Sequence, residues 1–479
     1  MMMYKRVLLV FPDYKGGHYG ALRPPAGLGY IAEILEKSNI KYDVVDMAAG
    51  FSTKKLKEKI ESFNPDLVGI SLMSLMHKRS YEIINFIKQV KTTVHVIAGG
   101  PHISTLREKV LKDCTALDYG SVLEGEELIL ELCNGNELSS IKGLIYRDGE
   151  NIIFNGERSF NEDLDKLPFP KYKKFPLNKY VTEEIGIVSS RGCPYGCIYC
   201  PVKTAIGRTW RKRDAGSLVD EISYWHKLGY KQFSILDDNF TFNNERVKEF
   251  CKKIKLESLY GLEFNCNNGI RADNVNYDIL SNMKEVGFAY LALGVEAGNN
   301  KVLKNINKGE TIEDIELAIK SALQLDYKIT LFFLVGSPGE TMEDFKDSIT
   351  LALKYPVFDV RFYNLIPFPQ SKLYDWVSKN DYFIISPDNY LNSTSHWDNK
   401  PVFETPEMNR YEREKALKTV RNVRKKVRYN SMKSVLLPKF GSIAGLIARI
   451  YINDYIQNIL MKNSILRRNL KKVFMRVSN

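Results

Sequence analysis

Two successive runs of alternating strand and helix patterns, followed by a basic helical tail, predict an α/β protein of two units with a helical C-terminal region. Three observations carry this prediction. Short apolar runs of strand length recur between stretches of helical spacing, Gly- and Pro-rich loops follow those runs, and positive charge gathers at one end. The chain has 479 residues, 44% hydrophobic and 26% charged, enough for two to four domains with real cores at roughly 100–200 residues each. Its 31 Gly and 18 Pro exclude a collagenous or largely disordered chain. Of the net charge of +12, residues 411–479 carry +14 and the rest −2. A protein near neutral except for its tail gives no reason to expect a nucleic-acid partner.

Residues 6–10 read as a buried parallel strand. Apolar residues at helical spacing follow from Leu28 to Leu35, and further strands are predicted at 42–46, 67–71 and 94–98 with helices at 53–63 and 79–91. That alternation is a doubly wound parallel sheet, whose ligands bind beyond the carboxyl ends of the strands. The loops 12–27, 71–77 and 99–105 fall there. Segments 143–146 and 151–155 flank Asp148-Gly149, a hairpin signal, and Leu167-Pro168-Phe169-Pro170 is a stiff linker. A second alternation places strands at 186–190, 232–237, 262–267, 289–294, 329–335 and 358–364. Six such units make a partial barrel with its chemistry at the strands' C-terminal ends. The expected domains are 1–140, a hairpin and linker at 141–180, the barrel at 181–380, and a basic helical region at 381–479.

Seven Cys, an odd number, do not suggest a secreted disulfide framework. Cys114, Cys133, Cys251 and Cys266 are scattered and read as small buried hydrophobes. Lys5-Arg6 precedes an apolar run that stops at Pro12, too short for a signal-peptide core, so a reducing cytosol is the expected compartment. The remaining three thiols stand in Arg191-Gly192-Cys193-Pro194-Tyr195-Gly196-Cys197-Ile198-Tyr199-Cys200, a loop right after the second unit's first strand. Three close thiolates can hold three irons of a 4Fe–4S cluster and leave the fourth open. Zinc is the competing metal, but a structural zinc site wants four ligands and this loop holds no His.

At these residues the chain resembles the radical S-adenosylmethionine (SAM) superfamily. Patches along the second unit follow the family's order: Leu236-Asp237-Asp238-Asn239-Phe240, Asn268-Gly269-Ile270-Arg271, Gly294-Val295-Glu296-Ala297-Gly298, Asn307-Lys308-Gly309 and Val335-Gly336-Ser337-Pro338-Gly339-Glu340. The resemblance implies a (β/α)6 partial TIM barrel and cluster ligation by Cys193, Cys197 and Cys200. It also implies SAM contacts from Tyr199, Asp237, Asp238, Glu296, Lys308 and Gly336. Taken singly, each patch also reads as a helix cap or a turn.

The first unit resembles the Rossmann-like cobalamin-binding domain that precedes the barrel in one large radical SAM group. Arg23-Pro24-Pro25-Ala26-Gly27, Gly99-Gly100-Pro101-His102 and Leu123-Glu124-Gly125-Glu126 carry that likeness. It implies cobalamin contacts from Pro25, Gly27, Ser71, Ser74, Gly99, Gly100, Pro101, His102, Glu124, Gly125 and Glu126. A dinucleotide fold is the rival, but no G-x-G-x-x-G opens the first helix. Asp13 and His18 lack the spacing of the motif whose His ligates cobalt from below, so His-off binding is expected.

The favoured activity is C-methylation of an unactivated carbon through methylcobalamin and a 5′-deoxyadenosyl radical. A cyclisation or rearrangement, a tRNA methylthiotransferase-like reaction, and a non-enzymatic cobalamin carrier or sensor are the alternatives. The methylthiotransferases hold a second cluster on three N-terminal Cys, whereas residues 1–150 here contain only Cys114 and Cys133. The resemblance implies a small-molecule or lipid substrate and a low-potential electron donor such as flavodoxin or ferredoxin. In the tail, Arg421, Arg424, Lys425, Lys426 and Arg428 precede apolar runs interrupted by Pro438, Lys439 and Arg449; Arg467-Arg468 and Lys471-Lys472 follow. A spanning helix is not expected. A helix lying on the inner face of the membrane and a cap packed on the barrel explain the pattern equally.

Overall fold

The computed structural model describes residues 3–13, 21–393, 400–453 and 456. His18 and the basic pairs at 467–468 and 471–472 lie outside the described residues. The first sheet consists of β1 (Arg6–Phe11), β2 (Lys41–Asp46), β3 (Leu67–Ser71), β4 (His95–Gly99), β5 (Tyr119–Ser121), β6 (Leu144–Asp148) and β7 (Asn151–Phe154), in the order β2-β1-β3-β4-β5-β6-β7. All pairings from β2 to β5 are parallel, and the hairpin β6–β7 adds antiparallel to β5. The hairpin therefore belongs to this sheet, and a boundary at residue 140 falls inside it.

Both faces of the sheet are covered, which is why its strands read as continuous apolar runs. Val7 and Leu9 point into a core shared with the helices Ala26–Lys37 and Glu126–Asn134, and Leu8 and Val10 into another under Thr53–Phe63 and His77–Val90. The first of these cores runs on without a break into the second unit through Tyr172, Ile185 and Trp225. The two units thus share one packed interior.

The second sheet opens with β8 (Ile185–Ile187), and a short antiparallel ribbon, β9 (Ser190–Arg191) and β10 (Arg211–Lys212), brackets the cysteine loop. It continues through β11 (Gln232–Ile235), β12 (Glu263–Ile270), β13 (Phe288–Glu296), β14 (Lys328–Val335) and β15 (Asp359–Asn364), ordered β15-β14-β13-β12-β11-β8 and parallel throughout. Six strands with an open seam between β15 and β8 match the expected partial barrel. Phe233, Phe264 and Phe288 stack on its outer face at 5.5 and 4.8 Å. The scattered thiols Cys114, Cys133, Cys251 and Cys266 are all buried, as expected.

The tail begins with the helix Arg410–Phe440, capped by Asn409, whose side chain accepts from Glu412 N–H while Glu412 accepts from Asn409 N–H. Its first half buries Ala416, Leu417, Val420, Val423 and Val427 against β15, β14 and the helix Met342–Lys354. This half is the cap. By length and composition, Arg410–Tyr451 contains an 18-residue window of mean hydropathy 1.2 that could cross a membrane, 17% of it buried. The chain, however, turns back at Gly441, so that Arg449 lies over the Tyr429 ring at 5.8 Å and Ala444 and Ala448 pack on Leu436. The apolar window is folded into a hairpin.

Candidate active site

The cysteine loop leaves β9 through Gly192, at φ +85°, where a Cβ would lie 2.3 Å from the Thr209 carbonyl oxygen. Only glycine makes this turn. The loop is tied across the barrel mouth by the Ile198 N–H donating to the Ile306 carbonyl at 3.1 Å. Cys193, Cys197 and Cys200 are partly buried free thiols. Burial raises Cys193 and pushes Cys200 up to about 12, so these groups ionise only against a nearby positive charge such as a metal. Among the described residues, no three His, Cys, Asp or Glu side chains converge as ligands of a single ion. A cubane, which takes one thiolate per iron, has no need of such convergence.

Beside the loop stands a buried charged group. β13 slips register between Gly294 and Glu296, and Glu296 itself sits at φ +66°, a strained conformation for a residue with a side chain. Its carboxylate accepts from Lys308 Nζ at 3.1 Å and from the Tyr199 hydroxyl. Lys308 lies 3.6 Å from Glu310, which accepts from the Ala272 N–H at 2.9 Å. Burial pushes Glu310 up to about 7; it opposes the Lys308 charge too, but Glu296 and Glu310 outweigh it and hold Lys308 above the ordinary lysine range. Arg271 stacks over Tyr195 of the cysteine loop at 3.6 Å and donates to the Lys308 carbonyl at 2.7 Å. Tyr199, Glu296 and Lys308 thus meet next to the thiols. Arg271, the last residue of the Asn268–Arg271 patch, and Glu310, which stands in no motif named from the sequence, belong to the same group.

The two aspartates after β11 divide. Asp237 is fully engaged by its own fold, accepting from Ser189 N–H at 2.7 Å and from the Ser189 and Ser190 hydroxyls, with Arg246 at 3.9 Å. It shapes the exit of β8, with its carboxylate committed to partners within the fold. Asp238 lines a cavity without a cation partner among the described residues, and burial with Asp237 beside it raises it to about 6. Gly336, at φ +91°, is gripped from two sides. Glu340 accepts from Gly336 N–H at 2.7 Å, and the buried Arg413 of the tail donates to its carbonyl at 2.9 Å. A Cβ at Gly336 would sit 2.0 Å from Arg413 Nη1. Its α-carbon therefore faces the tail rather than open space.

The cavity, about 320 Å³, lies between the units. Gly27, Ser71, Gly99, Gly100, Glu124, Gly125 and Glu126 line it from the first unit with apolar Leu9, Leu28, Ile97 and Ile129, and Arg191, Leu236 and Asp238 line it from the barrel. Ser121, also in the lining, has a buried hydroxyl with no partner. A glycine-edged apolar hollow with an orphan hydroxyl, and a carboxyl that accepts from the Gly192 N–H but faces no cation among the described residues, fits a ligand with an apolar face and a polar rim. Pro25, Ser74, Pro101 and His102 do not line it. His102 is fully buried elsewhere, stacked on His77 at 4.4 Å with Nε2 2.9 Å from the Tyr81 hydroxyl, and burial holds it near 3. Glu124 and Glu126 are likewise committed. Arg191 donates to them at 2.9 and 2.6 Å, and Arg211 donates to Glu124 at 2.6 Å. This clamp ties the first unit to the residue that opens the cysteine loop.

Two family descriptions match the chain: the Radical SAM superfamily over residues 187–352 and the B12 binding domain over residues 16–132. An uncharacterized methyltransferase of Pyrococcus horikoshii is 28% identical over 391 residues, covering 79% of this chain and 84% of its own. The anaerobic magnesium-protoporphyrin IX monomethyl ester cyclase of Cereibacter sphaeroides is 25% identical, covering 72% of this chain and 59% of its own length. Among solved structures, the cobalamin-dependent S-adenosylmethionine radical enzyme OxsB shares the fold, with a TM-score of 0.75 at 16% identity over 99% of this chain and 76% of that one. The chain belongs to the radical SAM superfamily, in the group that carries a B12-binding domain, and is an enzyme whose cofactors are a 4Fe–4S cluster, SAM and cobalamin.

Proposed function

We propose that this enzyme transfers a methyl group to an unactivated carbon, with Cys193, Cys197 and Cys200 holding the cluster. Tyr199, Asp238, Glu296 and Lys308 position SAM, and the cavity edged by Gly27, Ser71, Gly99, Gly100 and Gly125 seats the corrinoid. The functional division runs from the cobalamin-binding unit through the hairpin and linker to the barrel at 181–380 and the tail. When bound, the reduced cluster with SAM supplies a hydrogen-abstracting radical and the corrinoid a transferable methyl group. The chain's own residues bind, orient and shield. Glu296 and Lys308 compensate one another until SAM's amine, carboxylate and ribose take over their bonds, and the Arg191 clamp keeps the two units in register. One observation carries this reading: a single cavity reaches from the glycine loops of the first sheet to Arg191 and Asp238 beside the cysteine loop.

The cyclase relative favours a second reading, radical chemistry without net methyl transfer. The two separate on products. Reconstituted protein given SAM, reductant and substrate forms 5′-deoxyadenosine and S-adenosylhomocysteine together if methyl transfer occurs. Formation of 5′-deoxyadenosine alone favours the cyclase reading. The electron comes from a low-potential donor such as flavodoxin or ferredoxin, and the substrate is a small molecule or lipid.

The protein works in the cytoplasm, resting on the inner membrane face through the tail hairpin. There Leu437, Ile443, Leu446 and Ile450 are each at least half exposed among the tail's basic residues, each worth about 1 kcal/mol near an anionic surface. Sedimentation with anionic liposomes tests this. Leu446→Asp with Ile443→Asp should leave the protein in the supernatant at salt where the native chain pellets; native protein that never pellets contradicts the contact.

A further inference from the structure

Along β12 to β15 one row of the barrel's inner face runs from glycines on β12 and β13 to an aromatic ring on β14 and a cation on β15. Register aligns Gly294 with Phe332 and Phe332 with Arg361. Phe332 and Arg361 therefore stand side by side on the inner face, while Phe333 and Phe362 point outward and stack on each other at 4.6 Å. Gly269 is at φ +96°, and a Cβ there would meet the Phe332 ring at 3.7 Å. A Cβ at Gly294 would strike Glu296 Oε1 and Lys308 Nζ at 2.8 and 3.0 Å. The two glycines thus leave the face between the Glu296–Lys308 pair and the Phe332 ring without side chains of its own.

The far end of this row is cationic. The Arg361 guanidinium lies 6.0 Å from the Phe332 centroid, and the Tyr363 ring meets Phe332 edge-on at 5.6 Å. The Arg361 side chain is 46% exposed. Among the described residues its carboxylate neighbour is Asp359 at 3.6 Å, itself held in two hydrogen bonds by Arg424 at 3.1 and 2.8 Å, and the guanidinium also donates to the Tyr363 hydroxyl. With two arginines on one aspartate, the wall keeps a positive charge, carried on the partner that faces the lumen. A planar guanidinium beside aromatic rings suits a carboxylate or phosphate on an apolar body.

We propose that Gly269, Gly294, Phe332, Arg361 and Tyr363 form the substrate wall, and that the substrate is an apolar molecule bearing an anionic carboxylate or phosphate group which Arg361 receives. This rests on the reading that the Glu296–Lys308 corner is the SAM site, from which the wall is one residue step away. In it Arg361 fixes which carbon faces the reacting end of SAM.

Ligand-observed NMR on the reconstituted holoenzyme with SAM tests the wall, using indole-3-propionate, phenyl phosphate, indole-3-propionamide and tryptamine as probes. The expected result is that one or both anions bind at least tenfold tighter than the amide and the amine, the better anion naming the group. Arg361→Gln should remove that preference while leaving amide binding within twofold, Arg361→Lys should restore part of it, and Phe332→Ala should weaken all probes together. Equal binding of anion and amide by the native enzyme, an unchanged ratio in Arg361→Gln, or no binding of any probe overturns the proposal. Formation of 5′-deoxyadenosine without substrate is measured in parallel. Its absence in the native protein contradicts the SAM site, whereas the anion-to-amide ratio judges the wall alone.

Discussion

The parallel strands of the two sheets end in opposite chemistries. Beyond the first, the loops present glycines, aliphatic side chains and one orphan hydroxyl, and such charges as occur there, Glu124 and Glu126, are neutralised by Arg191 and Arg211. Beyond the second stand three thiols and a buried ring of Arg271, Lys308, Glu296 and Glu310. A large, mostly apolar macrocycle is held by shape and close backbone approach, and a small zwitterion by countercharge in a low dielectric. The architecture is repeated while the recognition is not. The two halves should therefore fail independently when mutated.

The largest effect that tests this independence comes from filling the first site. A Cβ at Gly99 meets nothing nearer than Ser121 at 3.9 Å, and its backbone is not left-handed, so Gly99→Leu fits the fold but occupies the cavity. Corrinoid affinity should fall more than a hundredfold with iron content unchanged, measured by corrinoid retention and iron assay. Next is Lys308→Met, which leaves Glu296 buried without its cation, while Glu310 keeps Arg271 at 3.4 Å, at a cost of about 3–5 kcal/mol. SAM affinity by equilibrium dialysis should drop at least tenfold while corrinoid retention stays native.

A smaller effect sharpens the contrast from the tail side. Burial pushes Glu340 up to about 7, above its unfolded value, so its contribution to stability is complete below the ordinary glutamate range and is lost as pH rises through 7. Glu340→Gln keeps an acceptor for the Gly336 and Ser337 N–H groups but cannot titrate. Melting temperature between pH 5.5 and 8 should fall more steeply for the native chain than for this variant, and parallel slopes would remove Glu340 from the account.

Much of the molecule was legible in sequence, for reasons that also mark where legibility ends. Strands 6–10 and 67–71 declared themselves because burial on both faces demands unbroken apolar runs. The cysteine loop did so because three thiols four and three residues apart on a tight turn suit a cluster. Side-chain direction could not be read. Asp237 and Asp238 are neighbours in sequence, yet one is consumed by Ser189, Ser190 and Arg246 while the other opens into the cavity. His102 follows a loop of the right kind but is turned toward Tyr81. Arg413 reaches Gly336 across 77 residues of chain, a pairing that no local pattern announces. The Arg191–Glu124 clamp was equally hidden, although both residues stood in motifs already marked.

On the proposed function, SAM is cleaved at a cluster on Cys193, Cys197 and Cys200 while the corrinoid is held separately by the first unit. Its most direct test is 5′-deoxyadenosine formation, alongside corrinoid retention, in anaerobically reconstituted native protein and in Cys193→Ala, Cys197→Ala and Cys200→Ala, with Cys251→Ala as the control. The account predicts 5′-deoxyadenosine from the native and control proteins, none from the three loop variants, and bound corrinoid in all five. A loop variant that still forms 5′-deoxyadenosine at the native rate would contradict it.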